Sequence, residues 1–122
     1  MVKLFRKADQ TFTASNGGAV LGLVNTSFSD NLGAGIGTFE DCANEWTVTY
    51  DEVLFVIDGV LTIRVGDDAY DVGPGDVIWI PKDTALVYEA GAKTTFFYAV
   101  CPAGKSPSTS KQIAYPTADP NG

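Results

Sequence analysis

The chain has 122 residues, 45% of them apolar, with 7 Phe, 5 Tyr and 2 Trp; this suits one domain around one packed core and excludes wholesale disorder. A formal charge of −7 disfavours nucleic acid and anionic bilayers as partners, and no run reaches the ~18 apolar residues that a membrane span needs. Histidine is absent, which removes Ser–His–Asp and Cys–His catalysis and leaves proton transfer to Asp, Glu, Tyr, Lys, Cys or water.

The N-terminal run MVKLFRKADQTF is basic but has no apolar stretch after it, so it predicts no secretion signal and a cytoplasmic protein. Beyond it no segment holds a 3.6-residue apolar period. Alternating and β-rich runs instead predict strands at 19–25, 32–39, 45–51, 53–58, 60–65, 69–72, 77–80, 85–90 and 94–100. Turn signals separate them at Asn16-Gly17-Gly18, Asp58-Gly59, Gly66-Asp67-Asp68, Gly73-Pro74-Gly75-Asp76, Pro81-Lys82-Asp83 and Gly91. Short strands at this spacing imply an all-β sandwich or barrel. The expected domain is 1–104, with N-terminal strands inside 1–40. Residues 105–122, rich in Pro, Ser and Thr, read as an extended tail.

Three segments carry candidate chemistry. Gly33-Ala34-Gly35-Ile36-Gly37 looks like a phosphate loop, but no strand–loop–helix context and no Lys-Ser/Thr pair accompanies it. Its small residues read better as a strand face that lets a neighbour approach closely. In 45–52, an unbroken strand would put Trp46, Val48, Tyr50 and Glu52 on one inward face, with Asp51 on the other. An inward Glu needs a hydrogen-bond partner or must stay protonated, and Tyr50 is the nearest candidate in sequence. Cys42 and Cys101 have no strongly basic neighbour in sequence and read as structural thiols. The acidic residues Glu40, Asp41 and Glu45 read as solvated strand ends rather than a cation site.

The run from Gly73 to Pro81 resembles the second motif of cupins, and Glu52 followed by six residues and Gly59 matches the end of the first. This resemblance implies an antiparallel jelly-roll β-barrel of the cupin (RmlC-like) class, a homodimer, and a pocket inside the barrel. Where metal cupins carry ligand histidines, this chain has Trp46 and Val48 (Glu45 and Thr47 with the longer spacer) and Leu86, so only Glu52 of the four ligands is kept and no metal or other cofactor is expected. A narrower likeness runs through Trp46-Thr47-Val48-Thr49-Tyr50-Asp51-Glu52, Asp58 to Ile63, Gly75 to Lys82, Phe97 to Val100 and Pro102-Ala103. It is similar to the cupin domain of the ethanolamine-utilisation protein Q (EutQ) family, in which Gly usually stands where this chain has Asp83.

These features predict a metal-independent cupin enzyme acting on a small oxygenated metabolite, by lyase, dehydratase or isomerase chemistry. Glu52 and Tyr50 are the expected catalytic pair, with Asp51 as a third candidate. Trp46, Val48, Trp79, Leu86, Tyr88, Phe96 and Tyr98 are the expected pocket walls. A non-catalytic metabolite-binding or accessory cupin is the alternative, and an acetate kinase of the EutQ type is a second one that rests on the resemblance alone.

Overall fold

The computed structural model describes residues 2–10, 18–25, 29, 31–102 and 109–113. After a short 3-10 turn at Lys7–Asp9, ten strands follow: β1 Gly18–Val24, β2 Gly33–Phe39, β3 Cys42–Thr47, β4 Asp51–Asp58, β5 Leu61–Val65, β6 Asp68–Val72, β7 Val77–Ile80, β8 Ala85–Ala90, β9 Thr94–Cys101 and β10 Thr109–Ile113. They form two five-stranded sheets, ordered β1-β2-β9-β4-β7 and β10-β3-β8-β5-β6, and every pairing is antiparallel. The all-β expectation holds, and β7 and β8 have the expected bounds.

Local chemistry explains the corners. Gly66-Asp67 joins β5 to β6 as a two-residue hairpin with Val65 paired to Asp68. Gly66 has φ of 60° and Asp67 does not have a positive φ, which is the type II′ pattern whose twist matches the flanking strands. In Gly73-Pro74-Gly75-Asp76, the Asp76 N–H donates to the Gly73 carbonyl at 2.9 Å, and Gly75 has φ of 86°. Pro then Gly at the two central positions makes a type II turn, and the Asp76 carboxylate closes it by accepting the Gly73 N–H at 2.9 Å. Asp83 has φ of 72°, a left-handed conformation that Asp tolerates better than most residues.

Two expectations need correction. The predicted strand 45–51 is two strands in different sheets: β3 ends at Thr47, and β4 starts at Asp51. The link crosses beside the Pro81–Thr84 turn, where the Val48 N–H donates to the Thr84 carbonyl at 3.1 Å and the Asp83 N–H donates to the Val48 carbonyl at 2.8 Å. Both links change sheet at one corner, because Glu52 pairs with Ile80 in one sheet and Thr47 with Ala85 in the other. Thr-Val-Thr continues the β-rich pattern, so nothing local signals the break. The tail expected at 105–122 contains β10, which pairs with β3 and extends that sheet by one strand.

Alternation along β4 sends Glu52, Leu54 and Val56 inward and leaves Val53, Phe55 and Ile57 on the outer face. The core gathers Val48, Leu54, Val56, Leu61, Ile63, Val72, Ile80 and Leu86 with Phe39, Tyr88 and Phe96. Gly37 on β2 lies beneath the Phe96 ring and Gly35 beneath Tyr98, so a side chain at either position would overlap a ring. The glycine-rich run therefore serves close ring packing on a strand.

Candidate active site

Glu52 is 6% exposed, and its inward direction follows from its place in the β4 alternation. Tyr88 reaches it from β8 in the opposite sheet, and the phenol donates to Glu52 Oε1 at 2.6 Å. Burial pushes the Glu52 carboxyl from 4.5 up to about 7, and the Tyr88 hydrogen bond pulls the other way without cancelling it. The Tyr88 phenol is pushed well above its ordinary 10, first by burial and then by the Glu52 charge, so it remains a protonated donor. Burial, then the charges of Glu52 and Tyr50, push Tyr98 up in the same direction.

A cavity of about 370 Å³ opens over this pair. Its walls are Gly18, Ala19 and Val20 of β1, Phe39 of β2, Asn44 and Trp46 of β3, Tyr50 at the sheet crossing, Glu52, Tyr88, and Phe96 and Tyr98 of β9. Phe39 meets Phe96 edge-on with centroids 5.1 Å apart and meets Tyr88 at 6.3 Å, which fixes three rings relative to one another. A larger open groove of about 780 Å³, between Lys7, Ile57 and Lys93, contains no buried carboxyl–phenol pair.

Six of the expected site residues come together at this cavity: Trp46, Tyr50, Glu52, Tyr88, Phe96 and Tyr98. Four do not. Val48 is fully buried, and Leu86 is 3% exposed; both belong to the packed core and line no part of this cavity. Trp79 is 59% exposed on the outer face, where it pairs with Val53. Asp51 points outward, and its carboxylate accepts the Lys82 N–H at 2.9 Å, holding the corner rather than facing the cavity. Tyr88, expected only as a pocket wall, is a bonded partner of the carboxyl. A sequence signal for it existed: Tyr88 lies two residues beyond Leu86 on one strand, so it takes the next inward position. Phe39 and Asn44 were not anticipated as walls.

The metal that the barrel class implies does not fit this donor set. Trp46, Val48 and Leu86 offer no ligand atom of the required kind, and Glu52 Oε1 already accepts the Tyr88 hydrogen. Among the described residues no three His, Cys, Asp or Glu side chains gather as a metal site. Cys42 is buried, with its thiol pushed up by burial, and Cys101 is exposed; both are free.

Two antiparallel sheets enclosing an off-centre pocket define a cupin barrel. An RmlC-like cupin from Shewanella frigidimarina superposes with a TM-score of 0.72, covering 86% of this chain and 95% of its own at 15% identity. The family is more specific than the barrel. The family model for ethanolamine utilisation protein EutQ matches residues 2–106, and the chain belongs to that family. The structure of the Clostridium difficile EutQ protein superposes with a TM-score of 0.69 at 28% identity, covering 72% of this chain and 70% of that one. The acetate kinase EutQ of Clostridioides difficile strain 630 is 32% identical over 75 residues, which are 62% of this chain and 48% of that protein. The chain thus spans about half the length of that curated relative.

Proposed function

We propose that this chain is a metal-independent cupin enzyme in which Glu52 moves a proton on a small oxygenated metabolite held in the aromatic cavity. The observation that carries the reading is one buried carboxyl, raised to about 7, hydrogen-bonded to a phenol and lining a cavity of ligand size. A carboxyl near 7 is present in both protonation states at neutral pH, so it can take a proton in one step and return it in the next. Tyr88 holds the carboxyl through Oε1. The Tyr98 phenol, in the same cavity wall, can donate to an oxyanion that develops beside it. Abstraction next to a carbonyl followed by return of the proton gives isomerisation; loss of a neighbouring hydroxyl gives dehydration.

Incubating small carbonyl compounds with the protein in D2O, and reading deuterium uptake next to the carbonyl by NMR, tests this directly. Glu52→Gln is expected to keep the fold and slow exchange at least ~100-fold, the usual range for losing an acid/base. Unchanged exchange in the folded variant would sink the proposal and leave a metabolite-binding module.

A second reading comes from the curated relative's printed activity, acetate kinase. That activity handles two anions, yet no Lys or Arg is among the described residues lining the cavity, and Gly33–Gly37 is a packed strand rather than a phosphate loop. A thermal-shift titration with Mg-ATP checks it. No stabilisation at millimolar nucleotide discards the kinase reading for this chain.

A further inference from the structure

The cavity chemistry narrows the ligand further than size does. Of its described walls only Glu52 can carry a formal charge at neutral pH, and that charge, in its deprotonated state, is negative. Phe39, Trp46, Tyr88, Phe96 and Tyr98 present ring surfaces whose electrostatic quadrupole is negative on the face. We infer that this cavity is a cation site, selecting a small organic ammonium over a neutral or anionic molecule of the same shape. The inference deepens the preceding proposal by naming the substrate class of the same cavity, and it rests on that cavity being the ligand site.

Three physical arguments lead there. An ammonium gains a charge-assisted hydrogen bond to the Glu52 carboxylate, about twice as strong as a neutral one. Against a ring face it gains a further ~0.5–2 kcal/mol, with the larger value reached out of water. An anion in the same place meets Glu52 at close range and finds no cationic partner in the described wall, so one of the two must be protonated. No basic side chain is among those walls: Arg64 pairs with Glu89 at 2.5 Å, and Lys7 and Lys93 line the adjoining open groove, which shares Gly18, Ala19 and Phe39 with the cavity. The chain's net charge of −7 adds a long-range attraction for cations.

The test uses the full chain and three probes of nearly equal size: propylammonium, 1-propanol and propionate. Binding is followed by NMR titration, with the Trp46 indole N–H as one reporter. Propylammonium is expected to bind at least ~10-fold more tightly than 1-propanol, with propionate weakest. Glu52→Gln should weaken the ammonium at least ~10-fold and leave 1-propanol unchanged. Trp46→Leu, which keeps Glu52, should weaken the ammonium more than the alcohol. The inference is overturned if propionate matches the ammonium, if no saturable ammonium binding is seen, or if Glu52→Gln leaves ammonium affinity intact. A Glu52→Gln protein that loses deuterium exchange but keeps ammonium binding defeats this inference alone. One that loses ammonium binding but keeps exchange defeats the acid/base reading alone.

Discussion

The barrel interior has two halves built from the same strands on different terms. Towards β4, β5, β6 and β7 it is filled by Leu54, Val56, Leu61, Ile63, Val72 and Ile80, none more than 4% exposed. Towards β1, β2 and β3 it is walled by rings and left partly empty around Glu52. The inward row of β4 feeds both, since Glu52, Leu54 and Val56 are consecutive inward positions. On the neighbouring strand β9, Tyr98 and Phe96 pair with Leu54 and Val56, and their rings reach away over glycines on β2. Aliphatic chains of similar size interdigitate until no void remains, whereas large rigid rings over glycine leave a shaped gap. The filled half supplies stability, and the gap supplies a place for chemistry.

Breaking the filled half should have the largest effect on stability. Leu54→Ala removes a fully buried side chain from the centre of the aliphatic cluster and is expected to cost about 2–5 kcal/mol. Urea denaturation of the two proteins measures it, and a cost under about 1 kcal/mol would mean that the two halves are less different than their packing implies.

The cavity half should reveal itself through pH. Glu52 is raised from 4.5 in the unfolded chain to about 7 in the fold, so the folded protein holds the extra proton between those values. Its contribution is fully present below 4.5 and is lost as pH rises through about 7. That interval corresponds to about 3 kcal/mol, at ~1.4 kcal/mol per pH unit. Glu52→Gln removes this dependence, so its stability relative to the parent should rise between pH 5 and pH 8, and denaturation at both pH values checks the sign. A relative stability that stays flat across the window would contradict a buried carboxyl.

Gly37→Ala sharpens the comparison with a smaller change. The new methyl meets the Phe96 ring, a cavity wall that must shift to make room, at a cost of about 1–3 kcal/mol. Thermal denaturation reads the stability loss, and probe titration should show changed binding as that wall moves. The same substitution would be near neutral on an open strand.

Much of the fold was legible because strand signals are local. VIWI and ALVYEA announce β7 and β8 by composition and flanking turns, and Pro74-Gly75 dictates its own turn by fixed φ on one residue and positive φ on the next. The opposite directions of Asp51 and Glu52 were also readable, since alternation within β4 survives intact. The β3–β4 break was not, because Val48 leaves the strand for a backbone partnership with Asp83 and Thr84, more than thirty residues away.

The sequence by itself determined an all-β chain, an inward carboxylate at Glu52 and the absence of any imidazole to share its work, while the cupin kind rested on the motif resemblance. The first three conclusions follow from residue type and a two-residue period, which need no knowledge of neighbours. Only the tertiary structure decided that Tyr88 holds the carboxyl, and that Trp79, Val48, Leu86 and Asp51 stay outside the cavity. A hydrogen bond between facing sheets depends on how the two sheets stack, and that register is set by the whole core rather than by any stretch of chain.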